Sequence, residues 1–342
     1  MKGDEIINMN NSSRDVDNVV IEVKDLYKWF PLKQSILEYA MKRPKKYVKA
    51  VNGVSFKINK GCTVGLVGES GCGKSTIARC IVRLYDLTEG SIFFNNKNFT
   101  DISSEQLRLE RAKMQMIFQD PYSSLNPRMS VYETIEEMLK FHNVVSKDKI
   151  HDRIKDLLEM TGLSMDVADR FPGEFSGGQR QRIGIARSLS SNPEFLIADE
   201  PVSALDVSIQ AQILNLLVDL KEKFNLTVLF ISHDLNVVKH IAERIVVMYL
   251  GSIVEMGDTA DVFENPYHPY TEVLLNAIPD LNPEKRTLEY VIEGELPSPT
   301  DLPKGCKFHP RCSRCQNICK KINPDLKILK CGRQIACHFP LK

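Results

Sequence analysis

The sequence lacks a strong net charge, a long apolar run and an apolar segment at its start. Its 342 residues carry a formal charge of only +1, which gives no general case for nucleic-acid binding. No apolar run reaches the roughly 18 residues of a membrane-spanning helix, and the N-terminus has no apolar signal region. These absences predict a cytoplasmic chain that reaches a membrane only through a partner.

Cysteine is missing from the whole middle of the chain, between Cys80 and Cys306. Three cysteines lie before this gap, and six follow it, interspersed with His309 and His338. In a cytoplasmic protein, such a cluster favours metal ligation over disulfides. Four thiolates can ligate Zn²⁺ or a [4Fe–4S] cluster, and reduced thiols without a metal are the alternative. The six are Cys306, Cys312, Cys315, Cys319, Cys331 and Cys337.

A phosphate-binding loop, which we call the P-loop, occupies residues 68–76 and matches G-x-x-x-x-G-K-[ST]. An apolar run over 62–67 predicts a buried strand before it, and helical spacing over 74–84 predicts a helix after it. A chance match is expected in about one in a hundred chains of this length, and the strand and helix make chance less probable still. The predicted nucleotide ligands are Gly68, Glu69, Ser70, Gly71, Cys72, Gly73, Lys74, Ser75 and Thr76.

Two further segments carry groups suited to phosphate chemistry. Ser176, Gly177, Gly178 and Gln179 open a predicted helix, where they form either an anion-binding nest or a plain N-capped helix start. The apolar strand over 195–200 ends in Asp199 and Glu200. One carboxylate can complete a Mg²⁺ shell with Ser75, and the other can orient an attacking water.

Two single residues and one aromatic pair follow predicted strands. Gln119 ends the strand over 114–118, and His233 follows the strand over 227–231, where it is either structural or a γ-phosphate contact. The aromatic pair Trp29 and Phe30 follows the strand predicted over 19–23, which starts the fold. It offers a surface for adenine stacking, or it belongs to the core or to the edge of a sheet.

The remaining segments predict how the chain is divided. Residues 1–18 are polar and predict a disordered tail, and 282–303 is rich in proline and charge and predicts a linker. The basic stretch over 33–49, which includes Lys42 and Arg43, predicts a solvated surface rather than a phosphate or lipid contact. Helical patterns over 131–141 and 149–161 predict a helical insert.

Taken in order, these motifs over about residues 19–340 resemble the nucleotide-binding subunit of an ATP-binding cassette (ABC) transporter. The P-loop matches Walker A, residue Gln119 the Q-loop, and 175–179 the signature, with Phe175 where leucine is commonest. Asp199 and Glu200 match Walker B with its catalytic glutamate, 203–206 the D-loop, and His233 the switch histidine. By the same resemblance, Phe30 falls on the adenine-stacking position.

This resemblance implies an α/β fold with a RecA-like core, an antiparallel β subdomain, a helical subdomain at about 120–175 and a small Cys-rich C-terminal module. The ATPase domain is expected over 19–260 and the extension over 261–342. Catalysis is expected from Glu200, His233 and Gln119, and Mg²⁺ ligation from Ser75, Gln119 and Asp199. Two subunits of the family enclose ATP, so residues 176–179 are expected to serve the partner's nucleotide.

The segments around 48–56, 116–127, 265–271 and 305–312 resemble those of oligopeptide and dipeptide importers, and most closely the F-type subunit of the Opp/Dpp systems. This resemblance implies a homologous D-type ATPase subunit, two permeases and an extracytoplasmic peptide receptor as partners, and a peripheral position on the cytoplasmic membrane face. The family's cluster positions map to Cys306, Cys312, Cys319 and Cys337. Metal-chelate or glycoside cargo is an alternative, and a non-transport ABC ATPase is a further one.

Overall fold

The computed structural model describes residues 18–34, 41, 44–277 and 296–342. Three predictions lie wholly or mostly outside these residues: the tail over 1–18 except for Asn18, the basic residues Lys42 and Arg43, and the linker over 282–303 up to residue 295. The described end of that linker, residues 296–303, contains no helix or strand.

The strands and helices alternate over much of the chain. The strands are β1 (Val19–Pro31), β2 (Tyr47–Asn59), β3 (Thr63–Val67), β4 (Glu89–Phe94), β5 (Lys97–Asn98), β6 (Met114–Ile117), β7 (Phe195–Asp199), β8 (Thr227–Ile231), β9 (Arg244–Tyr249), β10 (Ser252–Asp258), β11 (Lys327–Ile328) and β12 (Gln334–Ile335). The helices are α1 (Lys74–Ile81), α2 (Ser104–Ala112), α3 (Pro121–Ser124), α4 (Val131–Phe141), α5 (Ile150–Met160), α6 (Gly177–Leu189), α7 (Val207–Phe224), α8 (Leu235–Ile241), α9 (Thr259–Glu264) and α10 (Pro269–Asn276).

The described chain forms two compact units, which are interleaved along the sequence. The first unit comprises the described residues up to 57, then 64–97 and those from 233 onward, and the second comprises 58–63 and 98–232. The predicted C-terminal extension therefore groups with the unit that holds the P-loop. The predicted domain boundaries at 260 and 261 stay a prediction.

The first unit contains an antiparallel sheet and part of a mixed one. The antiparallel sheet has the order β2-β1-β4-β5, and a second run of strands has the order β11-β12-β10-β9-β3. In this second run only β3 and β9 pair in parallel. The short C-terminal strand β12 pairs with β10, so the Cys-rich segment is joined to this unit by backbone hydrogen bonds.

The second unit combines three parallel strands with helices. β7 pairs in parallel with both β6 and β8. Every residue of β7 and β8 is buried, as their unbroken apolar sequences predict for strands covered on both faces. Carboxyl ends of parallel strands share one edge of a sheet, so β6 and β7 deliver the residues that follow them to the same edge.

The helical insert of this unit forms from two amphipathic helices. Ser130 caps α4 through a capping box with Glu133, and Val131, Ile135 and Leu139 form its buried face. The buried positions of α5 repeat at similar spacing, and α4, α5 and α6 pack against one another. Burying each such Leu or Ile stabilises the unit by about 1.5–3 kcal/mol. None of the described helices is long and apolar enough to cross a membrane.

Candidate nucleotide-binding site

The P-loop turns on glycines for which a side chain has no room. Gly68 and Gly73 have φ angles of +148° and +106°, in a region that side chains disfavour. A Cβ on Gly68 would lie 2.2 Å from the carbonyl oxygen of Met248, and one on Gly73 would lie 2.3 Å from that of Ala50. The loop can therefore pass close to the backbone of its neighbours and continue directly into α1.

Lys74 folds back over the loop that precedes it. Its ammonium donates hydrogen bonds to the carbonyl oxygens of Gly68, at 2.7 Å, and Glu69, at 3.1 Å. The side chain is 5% exposed, so its charge is screened little by solvent. This places the cation at the loop, where phosphate oxygens can replace the two carbonyl groups as its partners.

Residues that the sequence did not single out hold Glu69. Its backbone N–H donates to the hydroxyl of Tyr270, and its carboxylate accepts two hydrogen bonds from Arg311. In the sequence, the segments of Tyr270 and Arg311 are recognisable only as similar to those of peptide importers. Both residues are far from Glu69 in sequence, so no local pattern could have predicted these contacts.

In the second unit, the structure brings Gln119 and Glu200 together. The Gln119 side-chain amide donates to a carboxylate oxygen of Glu200 at 2.9 Å. Glu200 has a φ of +48°, and its N–H donates to the carbonyl of Ile231 in the neighbouring strand. Asp199, the last residue of β7, is 1% exposed. The strand end thus fixes two adjacent carboxylates, one buried and one held by an amide.

The glycine-rich start of α6 combines a helix cap with close packing. Ser176 caps the helix, its hydroxyl accepts from the N–H of Gln179, and the Gln179 side chain accepts from the N–H of Ser176. A Cβ on Gly178 would lie 2.5 Å from a methyl carbon of Ile209, and one on Gly177 would lie 3.2 Å from Leu205. The capped helix start is therefore observed, and the role of these residues as an anion-binding nest stays a prediction.

His233 and Phe30, like the P-loop, lie in the first unit. His233 is exposed, two residues after β8, and Asp234 caps the following helix α8. Phe30 is half-buried, with its ring edge-to-face with Tyr85 at 5.3 Å. Trp29, on the alternate face of the strand, donates its indole N–H to Asn52. The Lys28 ammonium lies 4.9 Å from the centroid of the Phe30 ring, and adenine stacking on this ring stays a prediction.

Four of the six C-terminal cysteines line one small pocket. These are Cys306, Cys312, Cys319 and Cys337, the four that the resemblance selects, together with His309 and His338 among others. Cys315 is not part of this lining, and Cys331 is exposed. Burial raises the pKa of the Cys306 and Cys312 thiols, and raises that of Cys337 to about 11.

The donor types suit a soft metal, but the described side chains are not placed as ligands. Among the described residues, no group of three or more His, Cys, Asp or Glu side chains is arranged so that it could hold a metal ion. The raised pKa values mean that the thiols are protonated at neutral pH, so metal binding would release protons. The pocket therefore contains the side-chain types that bind a soft metal, but these side chains are not arranged around a common point as ligands.

The P-loop, the paired carboxylates and the capped glycine turn define a P-loop ATPase of the ATP-binding-cassette class. Comparison with known proteins agrees with this class. Residues 51–203 match the family model described as ABC transporter, and 254–319 match the oligopeptide/dipeptide transporter C-terminal region. The solved dimeric structure of the ATP-binding cassette MJ0796 bound to ADP and Pi has 30% identity and a TM-score of 0.61, covering 70% of this chain and 98% of that one.

Curated relatives match nearly the whole chain. The oligopeptide transport ATP-binding protein AppF of Bacillus subtilis (strain 168) is 49% identical over 94% of this chain and 97% of its own length. The dipeptide transport ATP-binding protein DppF of Escherichia coli (strain K12) is 43% identical over 96% and 97%. The chain belongs to the family of ATP-binding subunits of oligopeptide and dipeptide ABC transporters. The ABC-type fold predicted from the sequence is thereby confirmed.

Proposed function

We propose that this chain is the ATP-hydrolysing subunit that powers the import of peptides across the cytoplasmic membrane. The P-loop carries the proposal, because its glycines at positive φ and its folded-back lysine form a preorganised phosphate cradle. The peptide cargo is supported by the match of residues 254–319 to the C-terminal region of peptide transporters and by the names of the curated relatives.

In this proposal, the P-loop residues bind the triphosphate of ATP, and Phe30 stacks on the adenine. Ser75, Gln119 and Asp199 would hold Mg²⁺, which supplies charge neutralisation at the phosphates. Glu200 accepts a proton from the attacking water, and the hydrogen bond from Gln119 restricts where its carboxylate lies. His233 would hold the γ-phosphate and the water in register.

The partner subunit would complete each site. Residues 176–179 would meet the nucleotide of a homologous D-type subunit, and the D-type subunit's equivalent turn would meet the nucleotide bound here. Their place at the N-terminus of α6 supports this role, because the first backbone N–H groups of a helix have no acceptor within the helix. Two permease subunits and an extracytoplasmic peptide-binding protein complete the proposed transporter, without a nucleic-acid partner.

We propose a peripheral position on the cytoplasmic face of the membrane, with 19–260 as the ATPase domain and 261–342 as a small Cys-rich extension. The segment 119–127, which includes the short helix α3, would receive the permease, since it lies between the end of β6 and the helical insert. Within the extension, Cys306, Cys312, Cys319 and Cys337 would hold a [4Fe–4S] cluster, with Zn²⁺ as the alternative. Their common pocket supports this choice over Cys315 and Cys331.

The nucleotide assignment is tested by Lys74→Ala in the reconstituted transporter. Removing the ammonium takes away the cation that the loop holds over its carbonyl groups, so we expect ATP binding and hydrolysis to be lost. Lys60→Ala is the matched control, because it removes an exposed lysine before β3. It should leave ATP binding and hydrolysis intact. Near-normal hydrolysis in Lys74→Ala would contradict the assignment of the P-loop.

A further inference from the structure

Arg311, in the C-terminal extension over 261–342, binds the P-loop residue Glu69 through its side chain. Arg311 ends a short 3-10 turn, His309–Arg311, and its guanidinium reaches the carboxylate of Glu69. The two hydrogen bonds are parallel, with Nη1 to Oε2 at 2.9 Å and Nη2 to Oε1 at 3.1 Å. This fork-to-fork geometry fixes the orientation as well as the position of the carboxylate.

The ion pair is largely removed from solvent. The Arg311 side chain is 7% exposed and that of Glu69 is 21% exposed. The guanidinium also donates to the Tyr249 hydroxyl at 3.4 Å. Because water screens this pair little, its attraction is stronger than that of an ordinary surface ion pair.

A cluster of aromatic side chains holds Glu69 through its backbone amide. The rings of Tyr249, Tyr270 and Phe308 pack with centroids 4.7–5.4 Å apart. From this cluster the Tyr270 hydroxyl accepts the backbone N–H of Glu69 at 2.9 Å. Glu69 is thus held at its amide by Tyr270 and at its carboxylate by Arg311.

The residue held in this way in turn shapes the phosphate cradle. The carbonyl oxygen of Glu69 accepts hydrogen bonds from the Lys74 ammonium, at 3.1 Å, and from the N–H of Cys72, at 3.2 Å. A shift of Glu69 therefore alters the position of the loop's amide groups and of its cation. Glu69 alone thus connects Arg311 to Lys74, since it is hydrogen-bonded to both.

The charge of Glu69 gives Arg311 a second effect. A carboxylate within a phosphate-binding loop repels the triphosphate that the loop should bind. Arg311 neutralises this carboxylate and keeps it turned toward the C-terminal segment. Without the guanidinium, the carboxylate loses its partner and is free to swing toward the phosphates.

We propose that Arg311 is a positioning residue for ATP binding, through which the C-terminal segment holds the P-loop in its phosphate-receiving form. This inference rests on the proposed binding of ATP at the P-loop. It assigns to the peptide-importer extension a direct part in nucleotide affinity. It also predicts an order of effects among variants, because removing Arg311 alone leaves an unpaired carboxylate, whereas removing both charges does not.

The test measures KM for ATP and kcat in the reconstituted transporter. We expect Arg311→Met to raise KM about tenfold while kcat changes less than about twofold. Glu69→Gln should have a smaller effect, and the double variant should recover most of the loss seen in Arg311→Met. A wild-type KM in a folded Arg311→Met protein, or a double variant at least as impaired as Arg311→Met, would overturn the proposal.

Arg333→Met controls for loss of a buried arginine in the same segment. Arg333 bonds to Glu255 and to the carbonyl groups of Asp261 and Asn265, none of which belongs to the P-loop. It should lower thermal stability without raising KM, and an equal rise in KM would overturn the proposal. If Arg311→Met does not fold, Arg311→Lys replaces it, and we expect its KM to rise about threefold because the paired geometry is lost. An unchanged KM in Arg311→Lys would then contradict the role of the paired hydrogen bonds between Arg311 and Glu69.

A comparison with Lys74→Ala distinguishes a wrong role for Arg311 from a wrong assignment of the P-loop. Lys74→Ala should abolish nucleotide binding whatever Arg311 does. If Lys74→Ala binds ATP normally, the assignment of the P-loop fails. If Lys74→Ala loses ATP while Arg311→Met retains the wild-type KM, only the role of Arg311 fails.

Discussion

Glu200 carries the chemistry of the proposed reaction on a constrained backbone. It follows the buried strand β7 with a left-handed φ, and Gln119 donates to its carboxylate. A residue outside glycine and asparagine seldom takes this conformation, and such positions concentrate at functional sites. The conformation directs the side chain away from the course of the strand, where it can meet a water.

At this residue we expect Glu200→Gln to retain ATP binding and lose hydrolysis. The amide keeps the shape of the side chain and cannot accept the proton of the attacking water. The loss should be about 10²- to 10⁴-fold, or about 3–5 kcal/mol of barrier, measured by single-turnover hydrolysis in the assembled transporter with the partner site silenced.

Glu194→Gln is the matched control, because it makes the same chemical change just before β7, at an exposed position. Its turnover should equal that of the wild type. Wild-type turnover in Glu200→Gln would show that another group accepts the proton.

Because His268 is buried, we expect the free energy of unfolding to fall in mild acid. It is fully buried, its Nδ1 accepts the N–H of Tyr270, and burial lowers its pKa to about 3. The unfolded chain, with a histidine pKa of about 6.5, binds this proton more readily, so the contribution is lost as pH falls below about 6.5. From this pKa difference we expect about 2 kcal/mol less stability at pH 5 than at pH 8.

Denaturant unfolding at pH 5 and pH 8 measures this effect. His268→Asn keeps a cap acceptor but cannot titrate, so its stability should change less between the two pH values than that of the wild type. His240→Asn removes an exposed histidine and should preserve the wild-type pH dependence. Equal pH dependence in the wild type and His268→Asn would show that this histidine does not carry the effect.

At the scale of elements, local pattern predicted most of the regular structure. The helix over 131–141 and the strand over 227–231 have the predicted bounds, because a capping box and an unbroken apolar run mark them. β1 is longer than the predicted 19–23, since its register with β4 shifts between Lys24 and Tyr27 and Asp25 has a positive φ. A bulge interrupts the two-residue alternation on which strand prediction relies.

The candidate site was predictable where a motif is continuous in sequence and not where distant segments meet. The P-loop and the carboxylates at the end of β7 follow from adjacent residues. The bond between Gln119 and Glu200, and the attachment of Glu69 to Arg311 and Tyr270, join residues far apart in sequence. Such contacts depend on tertiary packing, which periodicity and spacing do not determine.

The Cys pocket yields a prediction about the C-terminal element. Purified without oxygen, the protein should be brown, absorb near ~400 nm and contain iron and sulfide, because four thiols share one pocket. Cys337→Ser should remove the colour, whereas Cys331→Ser, a change at an exposed cysteine, should keep it. Colourless protein with stoichiometric zinc would contradict the cluster in favour of the alternative, and a stable metal-free protein would contradict both.

At the scale of the whole molecule, two compact units share the residues that we propose for ATP hydrolysis. Each unit is built from segments that are separated in sequence. The P-loop and His233 belong to the first unit, and Gln119, Asp199, Glu200 and the signature belong to the second. The C-terminal extension groups with the P-loop unit and contacts it through Arg311. The segment that matches the oligopeptide/dipeptide transporter C-terminal region and a general ATPase motif are therefore parts of the same compact unit.

Uptake of labelled peptides, in cells that lack this subunit and other peptide importers, tests whether ATP hydrolysis by this chain drives peptide import. We expect uptake to be lost in these cells, to be restored by the wild-type chain, and not to be restored by Glu200→Gln expressed at the same level. Wild-type uptake without the subunit, or full restoration by Glu200→Gln, would contradict it.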